Sequence, residues 1–308
     1  MNILITGGAG FIASHVANAY IKENHHVVIL DNLSSGEKQA VPPKAVFYQM
    51  DLQDPRVLDI MKDEKIEAIN HHAAQISVHR SVLNPIFDAN TNIIGTLQLL
   101  QSAVSCGIKK FIFASTGGAI YGEQDYFPAC EDHSCKPLSP YAVAKYSVEK
   151  YLLFYERNFK LTSTVFRYSN VYGPGQKTTG EAGVVAIYCE RLADNKPPII
   201  FGNGGQTRDF ISVQDVVGAD LIALKPECSG TFNIGTGKET SVKELADTLI
   251  KLSGEKLSAE FGSPRDYEQR RSSIDSRKFS RAFGWKPQLS LEEGLLETLE
   301  FFKNKRTG

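Results

Sequence analysis

The chain has 308 residues, of which 42% are hydrophobic and 22% charged, and its formal net charge at pH 7 is −1. This length and apolar content can bury one large core or two modest ones. The balanced charge excludes the basic field that attracts nucleic acids and anionic membranes, and no stretch reaches the roughly 18 apolar residues of a membrane span. Because the opening MNILIT carries no basic leader, we expect a cytoplasmic protein with small-molecule partners, no nucleic acid and no membrane.

The first half of the chain alternates short β-branched apolar runs with longer amphipathic runs. The predicted strands are NILIT, HVVIL, AVFYQM, AIN, KKFIFAS and STVFRYS, and the predicted helices span residues 11–23, 55–63, 86–106 and 140–158. Strands and helices at this spacing form βαβ units, whose parallel strands are covered on both faces. We therefore predict an α/β fold with a Rossmann-type doubly wound parallel sheet.

The alternation ends after residue 172 in the turn-rich stretch GPGQKTTGEAG. Further helices are predicted at 184–194, 242–253 and 291–303, separated by glycine-rich loops. We predict two domains: a nucleotide-binding domain of residues 1–170, to which the chain returns near residues 208–228, and a smaller α/β domain of residues 171–308 that binds the substrate.

The cysteines and histidines give no metal-binding pattern. The five cysteines are scattered and form no C-x-x-C pair, which favours reduced thiols over disulfides or zinc. His71 and His72 are adjacent, and neighbouring residues of a strand cannot aim both rings at one ion. We expect no metal.

The first predicted strand runs into TGGAGFIASH, which gives Gly7-x-x-Gly10-x-x-Ala13. A glycine pattern is informative when a strand precedes it and a helix follows, as here. Glycine lets the backbone approach a pyrophosphate, whose charge the helix N-terminus stabilises. The alternative is a plain strand-to-helix turn.

Two carboxylates follow the next two predicted strands. Asp31 ends the second strand about 20 residues after the glycines, where a carboxylate accepts both ribose hydroxyls of NAD and repels the 2′-phosphate of NADP. Asp51, followed by Leu52, closes the third strand, where it can hold the adenine amino group or simply be a turn residue.

The stretch SPYAVAKYSVEKY begins with Ser139, a capping residue, and Pro140, which suits a first helical position. Tyr141 and Lys145 stand four residues apart and so share one face of the predicted helix. An ordinary surface pair is the alternative, since Y-x-x-x-K occurs often by chance.

Taken in order, the motifs resemble the extended short-chain dehydrogenase/reductases, and within them the nucleotide-sugar branch that includes the UDP-glucose 4-epimerases. The likeness covers nearly the whole chain, through TGGAGFIASH, DNLSSG, HHAAQISVHRS, NIIGTLQLL, ASTGGAIYG, SPYAVAK, RYSNVYGPGQ, GNGGQTRDFISVQDVV, FNIGTG and FGWKP. One departure is Ala13, where the family usually has glycine.

The resemblance implies a catalytic set of Tyr141, Lys145 and Thr116. Tyr141 would be the acid/base, Lys145 would hold the nicotinamide ribose and lower the tyrosine pKa, and Thr116 would bind the reacting sugar hydroxyl, with Ser115 as the fallback. Lowering a phenol pKa from about 10 to near 7 needs roughly 4 kcal/mol. One positive charge at about 4 Å in an effective dielectric near 20 supplies roughly that energy. Thr116 as a mere strand-end residue is the alternative.

The resemblance also implies NAD as the cofactor. The implied cofactor-binding residues are Gly7, Gly10, Phe11, Ile12, Asp31, Asn32, Ser34, Ser35, Gly36, Asp51, Leu52, Ala73, Ala74, Gln75, Asn92, Ser115, Tyr141, Lys145 and Tyr168. Among them, Ala73, Ala74 and Gln75 match the loop on the nicotinamide side, and Asn92 matches a helix residue supporting that region. His71 is interpreted as a packed core histidine.

A UDP-sugar is the implied substrate. The implied substrate-binding residues are Thr116, Tyr141, Asn170, Val184, Ile199, Phe201, Arg208 and Arg265. Asn170 would grip a phosphate, Ile199 and Phe201 would flank the uracil, and Arg208 would clamp the diphosphate, since a guanidinium matches phosphate oxygens two at a time.

The stretch SPRDYEQRR matches the family less closely. It supplies Arg265 as a second phosphate contact, or as a solvated arginine, and Glu268 at a usual acidic position. Ser272 would lie beside the sugar 2-substituent, where its small side chain leaves room for an N-acetyl group.

The reaction implied is NAD-dependent 4-epimerisation of a UDP-sugar, most simply UDP-glucose and UDP-galactose, through a transient 4-keto sugar. Related dehydratases carry an Asp-Glu pair directly after the threonine, where this chain has Gly117 and Gly118. The alternatives are a UDP-uronate 4-epimerase, another NDP-sugar-modifying enzyme, and a non-enzymatic NAD sensor.

Helices 86–106 and 140–158 resemble those that pair in family homodimers, so a homodimer is expected.

Overall fold

The computed structural model describes residues 1–179, 183–264 and 269–307. The strands are β1 (Asn2–Thr6), β2 (His26–Asp31), β3 (Val46–Gln49), β4 (Ala68–His71), β5 (Lys110–Thr116), β6 (Thr162–Tyr168), β7 (Asn170–Tyr172), β8 (Ile199–Phe201), β9 (Thr207–Arg208), β10 (Phe210–Ser212), β11 (Gly230–Ile234), β12 (Thr240–Ser241) and β13 (Glu260–Gly262).

The α-helices are α1 (Phe11–Lys22), α2 (Val57–Asp63), α3 (Val78–Leu83), α4 (Pro85–Ala89), α5 (Gly95–Ser105), α6 (Gly117–Ile120), α7 (Pro140–Phe159), α8 (Val184–Ala193), α9 (Val213–Ala223), α10 (Val242–Ser253), α11 (Arg277–Phe283) and α12 (Leu291–Thr307). A 3₁₀ turn spans Lys38–Ala40, and a π-helix spans Asn90–Ile94 between α4 and α5.

The chain forms two compact units. The first comprises Met1–Ile120, Pro137–Arg167 and Val217–Phe232, and the second comprises Tyr121–Lys136, Tyr168–Val216 and the chain from Asn233 onward. The main division after Arg167 lies close to the predicted boundary at residue 170. The structure differs in assigning residues 121–136 to the second unit and in returning to the first at Val217 instead of near residue 208.

The first unit is built on a seven-stranded sheet in the order β11-β6-β5-β4-β1-β2-β3. β1 pairs in parallel with both β2 and β4, so the connection direction reverses beside β1. In such doubly wound sheets, ligands bind beyond the carboxyl ends of the strands at this reversal. The Rossmann-type α/β prediction is confirmed.

The core of this unit follows from the two-residue period of the strands. On β1, Ile3 and Ile5 belong to one buried cluster with Tyr20 of α1, and Leu4 belongs to another with Leu100 of α5. Successive strand residues point to opposite faces, so an unbroken apolar run buries both faces of the sheet.

The second unit has a helical core in which α8, α10 and α12 pack together. A capping box starts α10: the Ser241 hydroxyl accepts from the Glu244 N–H at 3.1 Å, and the Glu244 carboxylate accepts from the Ser241 N–H at 2.8 Å. Gly254 ends this helix in the left-handed region. Two-residue and three-residue strand pairs, β7 with β10, β8 with β13 and β9 with β12, complete the unit.

The predicted strands and helices are confirmed to within a few residues. The sequence did not predict α3, α6, α9, α11, the sheet strand β11 or the short strands of the second unit. Across the part of the chain that the structure describes, no helix is both long and apolar enough to cross a bilayer. The same residues contain no cluster of three or more potential metal ligands.

Candidate active site

The glycine-rich turn between β1 and α1 is held by backbone contacts that exclude side chains. Gly7 has φ +70°, and a Cβ there would lie 2.7 Å from the backbone nitrogen of Ala73. A Cβ on Gly8 would lie 2.5 Å from Cγ2 of Ile29 on β2. The N–H of Gly10 donates to the Gly7 carbonyl at 2.9 Å. Glycine is therefore required at two of these positions by close approach, and the sequence did not single out Gly8.

The N-terminus of α1 has the features of an anion site. Gly10 is the N-cap residue and provides no side-chain cap, and the first turn carries no acidic residue. The N–H groups of this turn, which includes Phe11 and Ile12, can therefore meet the charge of a diphosphate. Ala13 is buried in the cluster between α1 and the sheet, which accommodates its methyl group.

Asp31, at the end of β2, ties the glycine turn to the following loop. Its Oδ2 accepts from the Ala9 N–H at 3.0 Å and its Oδ1 from the Leu33 N–H at 2.8 Å. Gly36 also lies against Ala9, since a Cβ on it would come within 2.8 Å of the alanine methyl. Each carboxylate oxygen retains a lone pair for a ligand hydroxyl.

Asp51 lies two residues beyond β3 and does not close that strand as predicted. It is exposed, and it accepts from Asn32 Nδ2 at 2.9 Å and from the Gln53 N–H at 2.9 Å. The Asn32 side chain in turn accepts from the Ser34 N–H at 2.9 Å, so this loop is pre-ordered. Ser34 and Ser35 are exposed, and Leu52 packs against the first core.

His71, the last residue of β4, is a packed core residue, as interpreted from the sequence. One ring nitrogen lies 2.6 Å from the Thr6 hydroxyl and the other 2.8 Å from the Thr96 hydroxyl. Burial, followed by the charge of Lys145, holds the pKa of His71 well below its ordinary value. A neutral imidazole with both nitrogens engaged is not available for acid/base chemistry.

The loop after β4 is fixed by paired amides. After Ala73 and Ala74, the Gln75 N–H donates to Asn92 Oδ1 at 2.8 Å, and Asn92 Nδ2 donates to the Gln75 carbonyl at 2.9 Å. Asn92 lies within the π-helix Asn90–Ile94. Such one-turn π segments are frequent at functional sites.

The start of α7 is built as the sequence predicts. The Ser139 hydroxyl accepts from the Ala142 N–H at 3.2 Å, and Pro140 occupies the first turn. Tyr141 is half-buried one turn before Lys145, which is buried. The Lys145 ammonium donates to the Ala114 carbonyl of β5 at 2.8 Å.

Ser115 and Thr116 at the end of β5 and Tyr141 at the start of α7 differ in whether another side chain already occupies their hydroxyl. Ser115 donates to Glu149 at 2.6 Å, and that carboxylate also pairs with Arg167. Within the described chain, the hydroxyls of Thr116 and Tyr141 have no hydrogen-bond partner. Thr116, which ends β5, is thus better placed than Ser115 to meet a ligand. The sequence did not predict the Glu149 pair.

The expected lowering of the Tyr141 pKa by Lys145 is wrong for the protein alone. Burial raises the pKa of Tyr141, and the Asp88 carboxylate raises it further. Burial also lowers the pKa of Lys145 to about 8, although Asp88 opposes that change. The prediction considered only the charge of the lysine at an effective dielectric near 20, whereas burial penalises the charged forms of both side chains.

Of the candidate substrate residues, Thr116 and Tyr141 lie in the first unit, and Asn170, Val184, Ile199, Phe201 and Arg208 lie in the second. Asn170 begins β7 opposite Phe210, and its buried Oδ1 receives no hydrogen bond from a described residue. The adjacent Asp209 is buried and accepts from Thr236, the Gly237 N–H and the Ile274 N–H, which anchors the end of β9. Arg208 directly precedes this anchored residue, and its Nη1 donates to the Thr207 carbonyl at 2.7 Å.

The remaining predicted residues take varied positions. Ile199 begins β8 and Phe201 ends it with an exposed ring; Val184 begins α8; Tyr168 ends β6 and is buried; Ser272 is buried. Arg265 and Glu268 lie outside the described residues. Gly117, with no side chain, begins α6 directly after Thr116.

The sequence profile of the NAD dependent epimerase/dehydratase family matches residues 3–235. The UDP-glucose 4-epimerase of Mycolicibacterium smegmatis is 41% identical over 311 residues, which cover 99% of each chain. The crystal structure of the Thermotoga maritima UDP-glucose 4-epimerase with UDP-glucose superposes with a TM-score of 0.97 at 46% identity, over 99% of this chain and 100% of that one. The Thermus thermophilus UDP-glucose 4-epimerase in complex with NAD gives 0.93 at 37% identity, over 98% and 99%. The chain belongs to the NAD-dependent epimerase/dehydratase family.

Membership makes the protein an enzyme with NAD as its cofactor, and the residues of the first unit fit that molecule. The glycine turn leaves no side chain over the uncapped end of α1, which suits a diphosphate. Asp31 ends the adjacent strand, where it can accept from ribose hydroxyls. Bound NAD would supply a reversible hydride acceptor.

Proposed function

We propose that the protein is a UDP-sugar 4-epimerase, with UDP-glucose and UDP-galactose as its substrates. The observation that carries the proposal is the end of β5. There the Thr116 hydroxyl, which has no hydrogen-bond partner among the described residues, precedes two glycines, Gly117 and Gly118, whose missing side chains cannot transfer a proton. Elimination of the sugar 6-hydroxyl needs a further acid and base at the site, whereas epimerisation needs only one hydroxyl proton moved and returned.

Tyr141 is the acid/base in this mechanism. In its ionised form, Tyr141 takes the proton of the sugar 4-hydroxyl, while bound NAD would accept the hydride from C4. The Thr116 hydroxyl orients that sugar oxygen by a hydrogen bond. The 4-keto sugar then rotates in the site so that the opposite face of its ring meets the cofactor. Tyr141 returns the proton as the hydride is returned to that face. The missing side chains of Gly117 and Gly118 leave room for this movement.

Lys145 positions the cofactor ribose and contributes positive charge beside the phenol. Since Lys145 does not lower the Tyr141 pKa in the protein alone, we expect the cationic nicotinamide to provide the remaining charge. Because burial has raised the Tyr141 pKa above its ordinary value of about 10, bringing it near 7 needs more than the roughly 4 kcal/mol that three pKa units represent. Tyr141 should therefore become acidic only in the complex with oxidised NAD.

Residues of the second unit support a role in holding the nucleotide. Asn170 Oδ1 is buried and receives no hydrogen bond from the described part of the chain, so a substrate donor can satisfy it. Arg208, supported by Asp209, offers a guanidinium for the diphosphate, and Ile199 and Phe201 offer apolar contacts for the base. The small Ser272 leads us to include the N-acetylhexosamine pair among the substrates.

The test is incubation of the purified protein with UDP-glucose, UDP-galactose, both UDP-N-acetylhexosamines, UDP-glucuronate and dTDP-glucose, with products resolved by chromatography. We expect interconversion of UDP-glucose and UDP-galactose. Turnover of UDP-glucuronate alone, or formation of a 4-keto-6-deoxy sugar, would overturn the proposal. Turnover of UDP-galactose without UDP-N-acetylgalactosamine would remove only the extension drawn from Ser272.

Exposed apolar side chains on two helices of the first unit support a homodimer. Ile86 of α4 is 74% exposed, and Val143 and Phe154 of α7 are 47% and 52% exposed. Light scattering during size exclusion should give a dimer for the wild type and a monomer for Ile86→Glu with Phe154→Glu.

A cytoplasmic location is supported by five free cysteines.

A further inference from the structure

A buried carboxylate in the first unit has no part in the mechanism above. Asp88 of α4 is 1% exposed, and its Oδ1 accepts from Gln75 Nε2 at 2.8 Å and from Asn92 Nδ2 at 3.0 Å. Its Oδ2 is buried and receives no hydrogen bond from any described residue. Buried carboxylate oxygens are rarely left unpartnered, so this one requires an explanation.

The two donors to Asp88 are the residues that shape the loop after β4. Besides its exchange with Asn92, the Gln75 side chain accepts from the Ser77 N–H at 2.6 Å and donates to the Ser77 carbonyl at 2.9 Å. Asp88 therefore fixes the orientation of both amides at once, because their NH₂ groups converge on a single oxygen. Without an acceptor there, each amide would keep its two hydrogen bonds to the backbone and lose the third, which leaves one buried N–H without a partner among the described residues.

Asp88 also contributes negative charge beside the reacting groups. It opposes the burial that lowers the pKa of Lys145, and it adds to the burial that raises the pKa of Tyr141. Burial raises the pKa of Asp88 itself, and the Gln75 amide, the Lys145 ammonium and the Asn92 amide oppose that rise by favouring the charged form.

The other charged groups around this site do not replace Asp88. Glu149 of α7 is paired with Arg167, and the two charges offset each other. His71 of β4 is held neutral by burial. Arg80 of α3 lies 4.3 Å above the ring of Phe87, where it forms a cation–π contact.

We propose that Asp88 is a positioning residue for the reaction, which holds the Gln75 and Asn92 amides at the nicotinamide side and keeps the buried Lys145 ammonium charged. This inference rests on the proposed function, in which Tyr141 and Lys145 carry the proton transfer. Asp88 itself touches neither substrate nor cofactor in this role.

The test is Asp88→Asn, which removes the charge and nearly preserves the shape. The Lys145 pKa, measured by NMR titration of its ε-carbon with Lys145→Arg for assignment, should fall by about half a unit or more. Both limbs of the pH profile of kcat/KM should also move to lower pH, since loss of a negative charge favours deprotonation of Lys145 and Tyr141 alike. Asp59→Asn, which removes an exposed carboxylate from α2, should move neither the titration nor the profile.

A purely structural role for Asp88 would lower kcat and leave the Lys145 titration unmoved, and that result would overturn the proposal. Gln75→Met separates the two routes, because it removes one amide and keeps the charge; it should lower kcat with little change in the Lys145 pKa. If Asp88→Asn does not fold, the wild-type Lys145 signal must still show a second inflection as Asp88 is protonated at low pH, and its absence would refute the coupling. A wild type without epimerase activity whose Lys145 titration still responds to Asp88 would refute the proposed function and leave the coupling intact.

Discussion

Replacing Glu149 by glutamine tests how much the buried Glu149–Arg167 ion pair, to which Ser115 also donates, contributes to the free energy of unfolding. The Glu149 and Arg167 side chains are 4% and 6% exposed, and their contacts measure 3.0 Å from Nε to Oε1 and 2.6 Å from Nη2 to Oε2. Glutamine keeps the shape but leaves the guanidinium charge uncompensated. Removing one partner of a buried pair costs about 3–5 kcal/mol, which is a large share of the roughly 5–15 kcal/mol of a typical domain.

The assay is urea unfolding followed by circular dichroism, with the free energy of unfolding extrapolated to water. Glu239→Gln is the matched control, because its partner Arg271 has a side chain that is 52% exposed. A pair this exposed contributes about 1 kcal/mol or less. Replacing both Glu149 and Arg167 by leucine should recover part of the loss, since it removes both buried charges. Equal losses for the Glu149 and Glu239 variants would refute the reasoning.

Two further predictions concern pH and the glycine turn. Since the pKa of Lys145 is about 8, kcat/KM should decline as the pH rises through that value. Lys145→Arg should move this alkaline limit to higher pH, and a limit that does not move would exclude Lys145 as its cause. Because the folded pKa lies below the unfolded value of about 10.4, the contribution of Lys145 to stability should increase between pH 8 and that value. Gly7→Ala should lose bound NAD and lower the melting temperature. Gly107→Ala is the control: it has φ +71°, and a Cβ there would have no heavy atom of the described residues within 4 Å. It should cost only the roughly 1–2 kcal/mol of an alanine in the left-handed region. Equal losses in melting temperature and intact NAD binding in both variants would contradict the close approach of Gly7 to Ala73.

Local patterns were sufficient to predict much of the first unit. The apolar runs that bury both faces of the sheet, the glycines between β1 and α1, and the cap before Tyr141 are all short-range features. Helix α9 was missed because it carries apolar residues outside its fully buried face as well, namely the half-buried Val217, Leu221 and Ile222. A helix buried on most sides has no clear polar face, so its 3.6-residue period is weak.

The parts of the site that were missed depend on distant contacts. Asp88 acquires its role from Gln75, thirteen residues away along the chain, and from charges on α7. Glu149 acquires its role from Arg167 on β6. The direction of the Tyr141 pKa was wrong because it depends on burial, which spacing in the sequence does not give.

The central claim is that the Tyr141 phenol moves the proton of the sugar hydroxyl, and Tyr141→Phe tests it most directly. The change removes one oxygen and keeps the ring, so folding and bound NAD should be retained. We predict that kcat for UDP-galactose falls by about 10²–10⁴-fold, while Tyr146→Phe, at a half-buried tyrosine of the same helix, stays within about twofold of wild type. A Tyr141→Phe enzyme within tenfold of wild type would contradict the account.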